Sequence, residues 1–162
     1  MDNADIVQKA VEKYSRTVLK IAFTYTKNVP DAEDIAQDVF LALFREKKDF
    51  RSEEHLKAWL IRVAVNKSKN HVKSSWFVKR KEMPEDLSYL PKEYNDILQA
   101  VLSLDEKYRL PIHLFYYEGY SIREISQILK MPSATVGTRL KRGREQLKDL
   151  LGKENYLNDE WI

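Results

Sequence analysis

An all-α fold, in two small helical domains joined by a flexible linker, is what three features of the 162-residue sequence predict. Apolar residues recur every three to four positions over long runs, and no alternating stretch is present that would build a strand. That period vanishes between Ser74 and Lys92, where Pro84 and Pro91 punctuate a run of mixed charge, and it resumes near Glu93. All four glycines (Gly119, Gly137, Gly143 and Gly152) lie at or beyond position 119, so residues 1–118 hold no Gly-rich turn of a P-loop or dinucleotide fold. The expected organisation is a first domain over 1–75, a linker over 76–92, a second domain over 93–152 and a tail over 153–162.

The first helix is expected from Ala4 to Lys27, where Ile6, Ala10, Tyr14, Val18, Ala22 and Tyr25 form one stripe, with Val7, Val11, Leu19 and Ile21 beside it. Asn28 to Pro30 breaks it. Asp31 then stands as the expected N-cap of a second helix, with Glu33 and Asp34 facing its positive end and Ile35, Ala36, Val39, Phe40 and Leu43 turned inward. After a polar loop from Lys47 to Arg51, Ser52 is placed to cap a third helix, lined on one side by Leu56, Trp59, Leu60, Val63, Ala64 and Lys67. In the second domain, a helix carries Ile97, Leu98, Val101, Leu102 and Leu104. The next, from about Asp105 to Glu118, carries Leu110, Leu114 and Tyr117, must bend at Pro111 if that residue lies beyond the first turn, and closes at Gly119. Ser121 and Glu124 have the spacing of a capping box, opening a short helix with Ile122, Ile125, Ile128 and Leu129. Lys130 to Pro132 makes a tight turn, and Ser133 is expected to cap a last helix to about Leu151.

Composition closes off several classes of function. With no cysteine there is no disulfide framework, thiolate metal site or cysteine nucleophile, and a reducing, cytoplasmic compartment fits. The longest uncharged stretches fall far short of the roughly 18 apolar residues of a membrane span, and Asp2 and Asp5 do not suit a signal peptide. His55, His71 and His113 lie far apart without ligand spacing, and no serine has an identifiable His and acid partner. No enzyme, cofactor or catalytic constellation is therefore expected.

The net charge of +3 conceals a strong pattern. Residues 56–81 sum to +8 and residues 121–148 to +5, separated by a −5 stretch over 82–120. Two basic blocks suggest two contact zones for a polyanion, whose condensed counterions are released by Lys and Arg; the bland alternative is a pair of solvated helix faces. Two short helices joined by a three- or four-residue turn, the second of them basic, match a helix-turn-helix whose second helix enters a major groove. At about 100° per residue, Val136, Leu140, Gly143 and Leu147 share one side of that helix, and Ala134, Thr138, Lys141, Arg142 and Glu145 the other. The short side chains of Ser133, Ala134, Thr135, Gly137 and Thr138 would let the helix end approach base edges, while Arg139, Lys141, Arg142 and Arg144 offer cations to phosphates or guanine.

On the third helix, Arg62, Asn66, Lys69 and Lys73 form a cationic rail, with Trp59 on its border, where its ring would either complete the core or stack on an unpaired base. The loop Asp49 to Ser52 brings Phe50 and Arg51 beside it, a composition that suits holding splayed bases. On the second helix, Asp34, Gln37, Asp38 and Leu41 recur at i, i+3, i+4 and i+7, a stripe turned outward that suits a basic protein surface. A Mg²⁺ site from Asp31, Glu33, Asp34 and Asp38 is a weaker reading, because no phosphate-holding loop accompanies it.

These residues together resemble a bacterial sigma factor of the extracytoplasmic-function (ECF) group of the sigma-70 family, over nearly the whole chain. Asp31-Ala32-Glu33-Asp34-Ile35-Ala36-Gln37-Asp38-Val39-Phe40, followed by the segment from Ala58-Trp59-Leu60 to Lys69-Asn70, resembles domain two of that family. Glu118-Gly119-Tyr120-Ser121-Ile122-Arg123-Glu124-Ile125, with Pro132, Thr135-Val136, Arg139-Leu140 and Arg142-Gly143-Arg144, resembles domain four. The second set alone would also suit the DNA-binding domains of response regulators. The resemblance implies a dissociable subunit that carries RNA polymerase core to promoter DNA. By that analogy Asp34, Gln37, Asp38 and Leu41 would face the β′ clamp coiled coil. Phe50, Arg51, Trp59, Arg62, Asn66, Lys69, Asn70 and Lys73 would hold the melted minus-ten element. The helix from Ser133 to Arg144 would read the minus-thirty-five element, and the outer part of domain four would meet the β flap. An anti-sigma factor packed between the domains is a further implication, and the acidic linker would lie near the RNA exit path. This sequence departs from the pattern in having Asp38 where Glu is common, Gly137 where a basic residue is common, and Ala134 where Gly is common. It also lacks the acidic N-terminal region and extended-minus-ten domain of larger members, as ECF members do. The competing readings are a helix-turn-helix regulator acting without polymerase core and a metal-dependent nuclease using the acidic cluster.

Overall fold

A computed structural model of the chain describes residues 3–47, 49–75 and 99–152. Every regular element among them is an α-helix: α1 (Asn3–Thr26), α2 (Val29–Arg45), α3 (Glu53–Ser75), α4 (seen over 99–103), α5 (Glu106–Tyr116), α6 (Ile122–Leu129) and α7 (Ser133–Leu151). The chain divides into two compact units, Met1–Met83 and Pro84–Ile162. The linker over 76–92, the residues Ile97 and Leu98, and the tail from Lys153 to Ile162 lie outside the described residues.

In the first unit α1 packs on both α2 and α3, which also touch each other. Ala10, Tyr14, Val18, Ile21, Ala22 and Tyr25 of α1 are buried, as one helical stripe should be. The chain leaves α1 through Lys27, whose φ of +54° lies in the left-handed region, and turns at Asn28. Here the N-cap differs from the sequence expectation: Asn28, not Asp31, caps α2, its side-chain oxygen accepting from the Asp31 N–H at 2.9 Å. Pro30 decides the register. It lacks an N–H and its fixed φ suits a first turn, so the helix starts ahead of it. Asp31 is consequently drawn inside the first turn, 8% exposed, with its carboxylate 3.4 Å from His71 Nε2 on α3.

The expected inner face of α2 is found, with Ile35, Val39, Phe40 and Leu43 buried and Ala36 partly so. That of α3 is rotated. Leu56, Leu60, Ile61, Ala64, Val65 and Ser68 are buried, whereas Trp59, Val63 and Lys67 are only half-buried. Ile61, Val63 and Val65 place apolar side chains around much of the helix, so the choice of face falls to α1 and α2 rather than to local periodicity. Ser52 caps α3 as expected, its Oγ accepting from the His55 N–H at 3.1 Å.

The second unit is built on the packing of α5 and α6 against α7. Helix α5 runs through Pro111 without a break and buries residues from Tyr108 to Leu114. It ends at Tyr116, short of the expected Glu118, and Gly119 (φ +74°) lets the Tyr120 N–H return to the Leu114 carbonyl at 3.0 Å. The guanidinium of buried Arg109 donates to the Leu102 carbonyl at 3.3 Å and so ties α5 to the end of α4. Ser121 and Glu124 form the capping box read from the sequence, with reciprocal bonds of 3.1 and 3.0 Å. Ile125 and Ile128 are buried beneath it, but Ile122 is exposed. The three-residue turn follows: Lys130 adopts φ +54° and Ser126 Oγ donates to the Met131 carbonyl at 2.6 Å. Ser133 is the first helical residue rather than the cap, because Pro132 occupies the cap position and makes no side-chain bond there. Gly143 permits α7 to approach α5 closely: a Cβ there would stand 3.0 Å from Cγ1 of Ile112.

Candidate nucleic-acid interface

Helix α7 separates its two faces as the sequence pattern requires. Val136, Leu140, Gly143 and Leu147 are buried, which turns Ala134, Thr138, Lys141, Arg142 and Glu145 to solvent. Ser133 is also exposed, while Thr135, Gly137 and Arg139 lie half-buried along the edges. Arg144 is different. It is half-buried, and its Nη1 lies 3.5 Å from the Tyr116 hydroxyl on α5, so its guanidinium is directed partly into the unit. The exposed face from Ser133 to Arg142 is about 15 Å long at 1.5 Å per residue, a length that a major groove accommodates.

In the first unit, burial of one side of α3 leaves Asn66, Lys69, Asn70 and Lys73 exposed along the opposite side. Arg62 starts this rail half-buried, and its Nε is fully covered with no hydrogen-bond partner among the described residues. At the head of the rail the loop is organised by rings. Phe50 meets Trp59 edge-on with centroids 5.6 Å apart, and His55 edge-on at 5.3 Å. The Arg51 N–H donates to His55 Nδ1 at 3.1 Å. Asp49, Arg51, Ser52 and His55 line a half-open pocket of about 500 Å³.

The first turn of α3 is anchored to α1 from below. Tyr14 donates its hydroxyl to Glu53 Oε2 at 2.6 Å, and Lys13 Nζ lies 3.3 Å from the same oxygen. The Tyr14 hydrogen bond first, and the Lys13 ammonium second, hold the Glu53 carboxyl below its ordinary value. Sequence reasoning had not brought His55 or Glu53 into the site. Their signal was His55 lying three positions after the Ser52 cap and Glu53 lying in a first helical turn, and each partner is fixed only by the tertiary fold.

Asp34, Gln37, Asp38 and Leu41 are all exposed on α2. Phe44, also missed, extends their stripe by three residues and, like Leu41, is 50% exposed. Large apolar side chains left in solvent at the edge of an acidic stripe have the composition of a contact surface. Asp31 does not join this stripe, being turned inward to His71. Among the described residues, no three His, Asp or Glu side chains gather as metal ligands would, and no helix is long and apolar enough to cross a membrane.

Comparison with known proteins accounts for both units. Residues 10–78 match the family described as sigma-70 region 2, and residues 94–147 match sigma-70, region 4. Over 91% of its length the chain is 30% identical to the ECF RNA polymerase sigma factor SigW of Bacillus subtilis (strain 168), covering 89% of that protein. The chain belongs to the ECF sigma factors of the sigma-70 family. Such proteins direct RNA polymerase to promoters for transcription initiation. A second relative, the ECF RNA polymerase sigma factor SigE of Mycolicibacterium smegmatis, is 31% identical over 90% of this sigma factor, which spans 61% of that longer protein. In fold, this sigma factor is similar to the sigma factor RpoE solved in complex with the anti-sigma factor NepR from Bartonella quintana, with a TM-score of 0.73, 22% identity, and 91% of this chain and 98% of that chain covered.

Proposed function

We propose that the surfaces described above divide the work of initiation among themselves. The α2 stripe of Asp34, Gln37, Asp38 and Leu41, lengthened by Phe44, engages the β′ clamp coiled coil of RNA polymerase core. Phe50, Arg51 and Trp59, with the rail of Arg62, Asn66, Lys69, Asn70 and Lys73, hold the melted minus-ten strand. Stacking on an aromatic is typically worth about 1–3 kcal/mol per base, and each phosphate neutralised by the rail adds a salt-dependent increment. Helix α7 reads the minus-thirty-five duplex through Ser133, Ala134, Thr135, Gly137 and Thr138 near its start and Arg139, Lys141 and Arg142 beyond, with Arg144 bridging to α5; the outer part of the same unit meets the β flap. The protein acts in the cytoplasm, RNA synthesis itself belongs to the polymerase, and an anti-sigma factor holds the free subunit inactive.

The observation that carries this reading is the presence on one small unit of two exposed surfaces of opposite charge, an acidic stripe on α2 and a cationic rail on α3, each on a helix whose other side is buried in the core. Replacing Asp34 and Asp38 together by Lys tests it. Both side chains are exposed, so far-UV circular dichroism should stay as in the wild type while affinity for polymerase core is abolished in a pull-down titration. Unchanged core affinity would remove the partner assignment from α2.

A further inference from the structure

His55 does two things at the start of α3 that belong together. It occupies the third helical position after the Ser52 cap, donating its own N–H to Ser52 Oγ at 3.1 Å. Its ring then reaches back past the cap, where Nδ1 accepts the Arg51 N–H at 3.1 Å. A bonded acceptor at Nδ1 requires the ring to be neutral with its proton on Nε2. The arrangement resembles a capping box displaced by one residue, with imidazole in place of the usual carboxylate or amide. The same chain builds the ordinary version at Ser121 and Glu124, where the reaching side chain is an anion. At Arg51 the acceptor is an imidazole nitrogen, which makes the bond without adding a second carboxylate to the pocket that Asp49 already lines. The ring also meets the edge of Phe50, which in turn meets Trp59, so one side chain sets both the backbone at Arg51 and an aromatic wall.

We propose that His55 is a positioning residue for recognition of the melted strand: through Nδ1 it locks the loop Asp49 to Ser52 into the shape that forms the roughly 500 Å³ pocket, which takes an unstacked base. The volume lies within the roughly 300–1,000 Å³ range of small-ligand pockets. This inference rests on the reading that the loop holds the non-template strand. His55 acts on that strand through the loop, and the atom that matters is Nδ1.

Three variants separate the atoms of the ring. His55→Asn keeps an acceptor near the Nδ1 position, His55→Gln places an amide near the Nε2 position, and His55→Ala keeps neither; all three lose the Phe50 ring contact, which therefore cancels in the comparison. The holoenzyme, assembled from core polymerase and full-length chain, is titrated against a labelled single-stranded oligonucleotide from the non-template strand of a promoter that the wild type opens. Amide exchange at Arg51 is followed in parallel. His55→Asn should bind within about twofold of the wild type and keep Arg51 protected, whereas His55→Gln and His55→Ala should bind about three- to tenfold more weakly with Arg51 exposed, as expected for loss of one ordinary hydrogen bond. Equal binding by all three variants, or stronger binding by Gln than by Asn, overturns the inference. The wild-type arm tests the underlying reading separately: a wild-type holoenzyme that holds duplex promoter but not the single strand overturns both.

Discussion

Two glycines on α7 should answer the same substitution in opposite senses. Ala in place of Gly raises helix propensity by about 1 kcal/mol in a helix interior, and this gain is common to both positions. At Gly137 a new Cβ meets no heavy atom within 4 Å, so the gain is kept. At Gly143 the Cβ would stand 3.0 Å from Cγ1 and 3.2 Å from Cδ1 of Ile112, and 3.4 Å from Cβ of Tyr108. Ile112 is fully buried and Tyr108 only 5% exposed, so neither can swing into solvent to make room. Overpacking of this kind costs about 1–3 kcal/mol. Because the propensity gain cancels, the two variants should differ by that overpacking cost, a factor of about 5–150 in an opening equilibrium. Amide hydrogen exchange of α5 and α7 in the full-length chain reads this locally, without requiring a chain of two units to unfold in one step. Gly137→Ala should slow exchange by up to about fivefold, and Gly143→Ala should exchange faster than Gly137→Ala by the factor above. Equal slowing in both variants would refute the claim that Gly143 sets how closely α7 approaches α5.

Arg142→Ala on the exposed face of α7 should weaken holoenzyme binding to duplex promoter across sequences and reduce the slope of log affinity against log salt by about one if the guanidinium meets a phosphate; relaxed specificity at a single position would assign it to a base. Neither effect would leave Arg142 a solvated residue. Tyr14→Phe removes the largest cause of the lowered Glu53 ionisation. A carboxyl depressed in the folded state contributes stability that is present above its ordinary value of 4.5 and is lost as pH falls through the lower folded value. The thermal midpoint of Tyr14→Phe should therefore lie below that of the wild type at neutral pH, and the gap should narrow under acid; a gap that widens on acidification would contradict the assignment.

How much was legible in the sequence depended on how local each cause was. The buried and exposed faces of α7 could be read because Val136, Leu140, Gly143 and Leu147 leave no competing stripe, and the Ser121–Glu124 box could be read because both partners lie within one turn. The cap of α2 was misread because Asn28 and Asp31 are both good cap residues and only the proline between them chooses. On α3 the apolar side chains surround the helix, so only tertiary packing selects the side that holds Ile61, Val65 and Ser68. The contact of Asp31 with His71, and that of Tyr14 with Glu53, join residues about forty positions apart, and no periodicity announces such pairs. The candidate surfaces were legible as charge stripes, but the histidine that shapes the loop was hidden among three that shared no ligand spacing.

Promoter choice is what this one chain brings to an enzyme that lacks it, and run-off transcription by core polymerase on a pool of genomic promoter fragments, with and without the purified chain, measures that contribution. Discrete transcripts from a defined subset of fragments should appear only when the chain is added, and should disappear with the Asp34→Lys, Asp38→Lys double variant. A transcript pattern identical with and without the chain would contradict it.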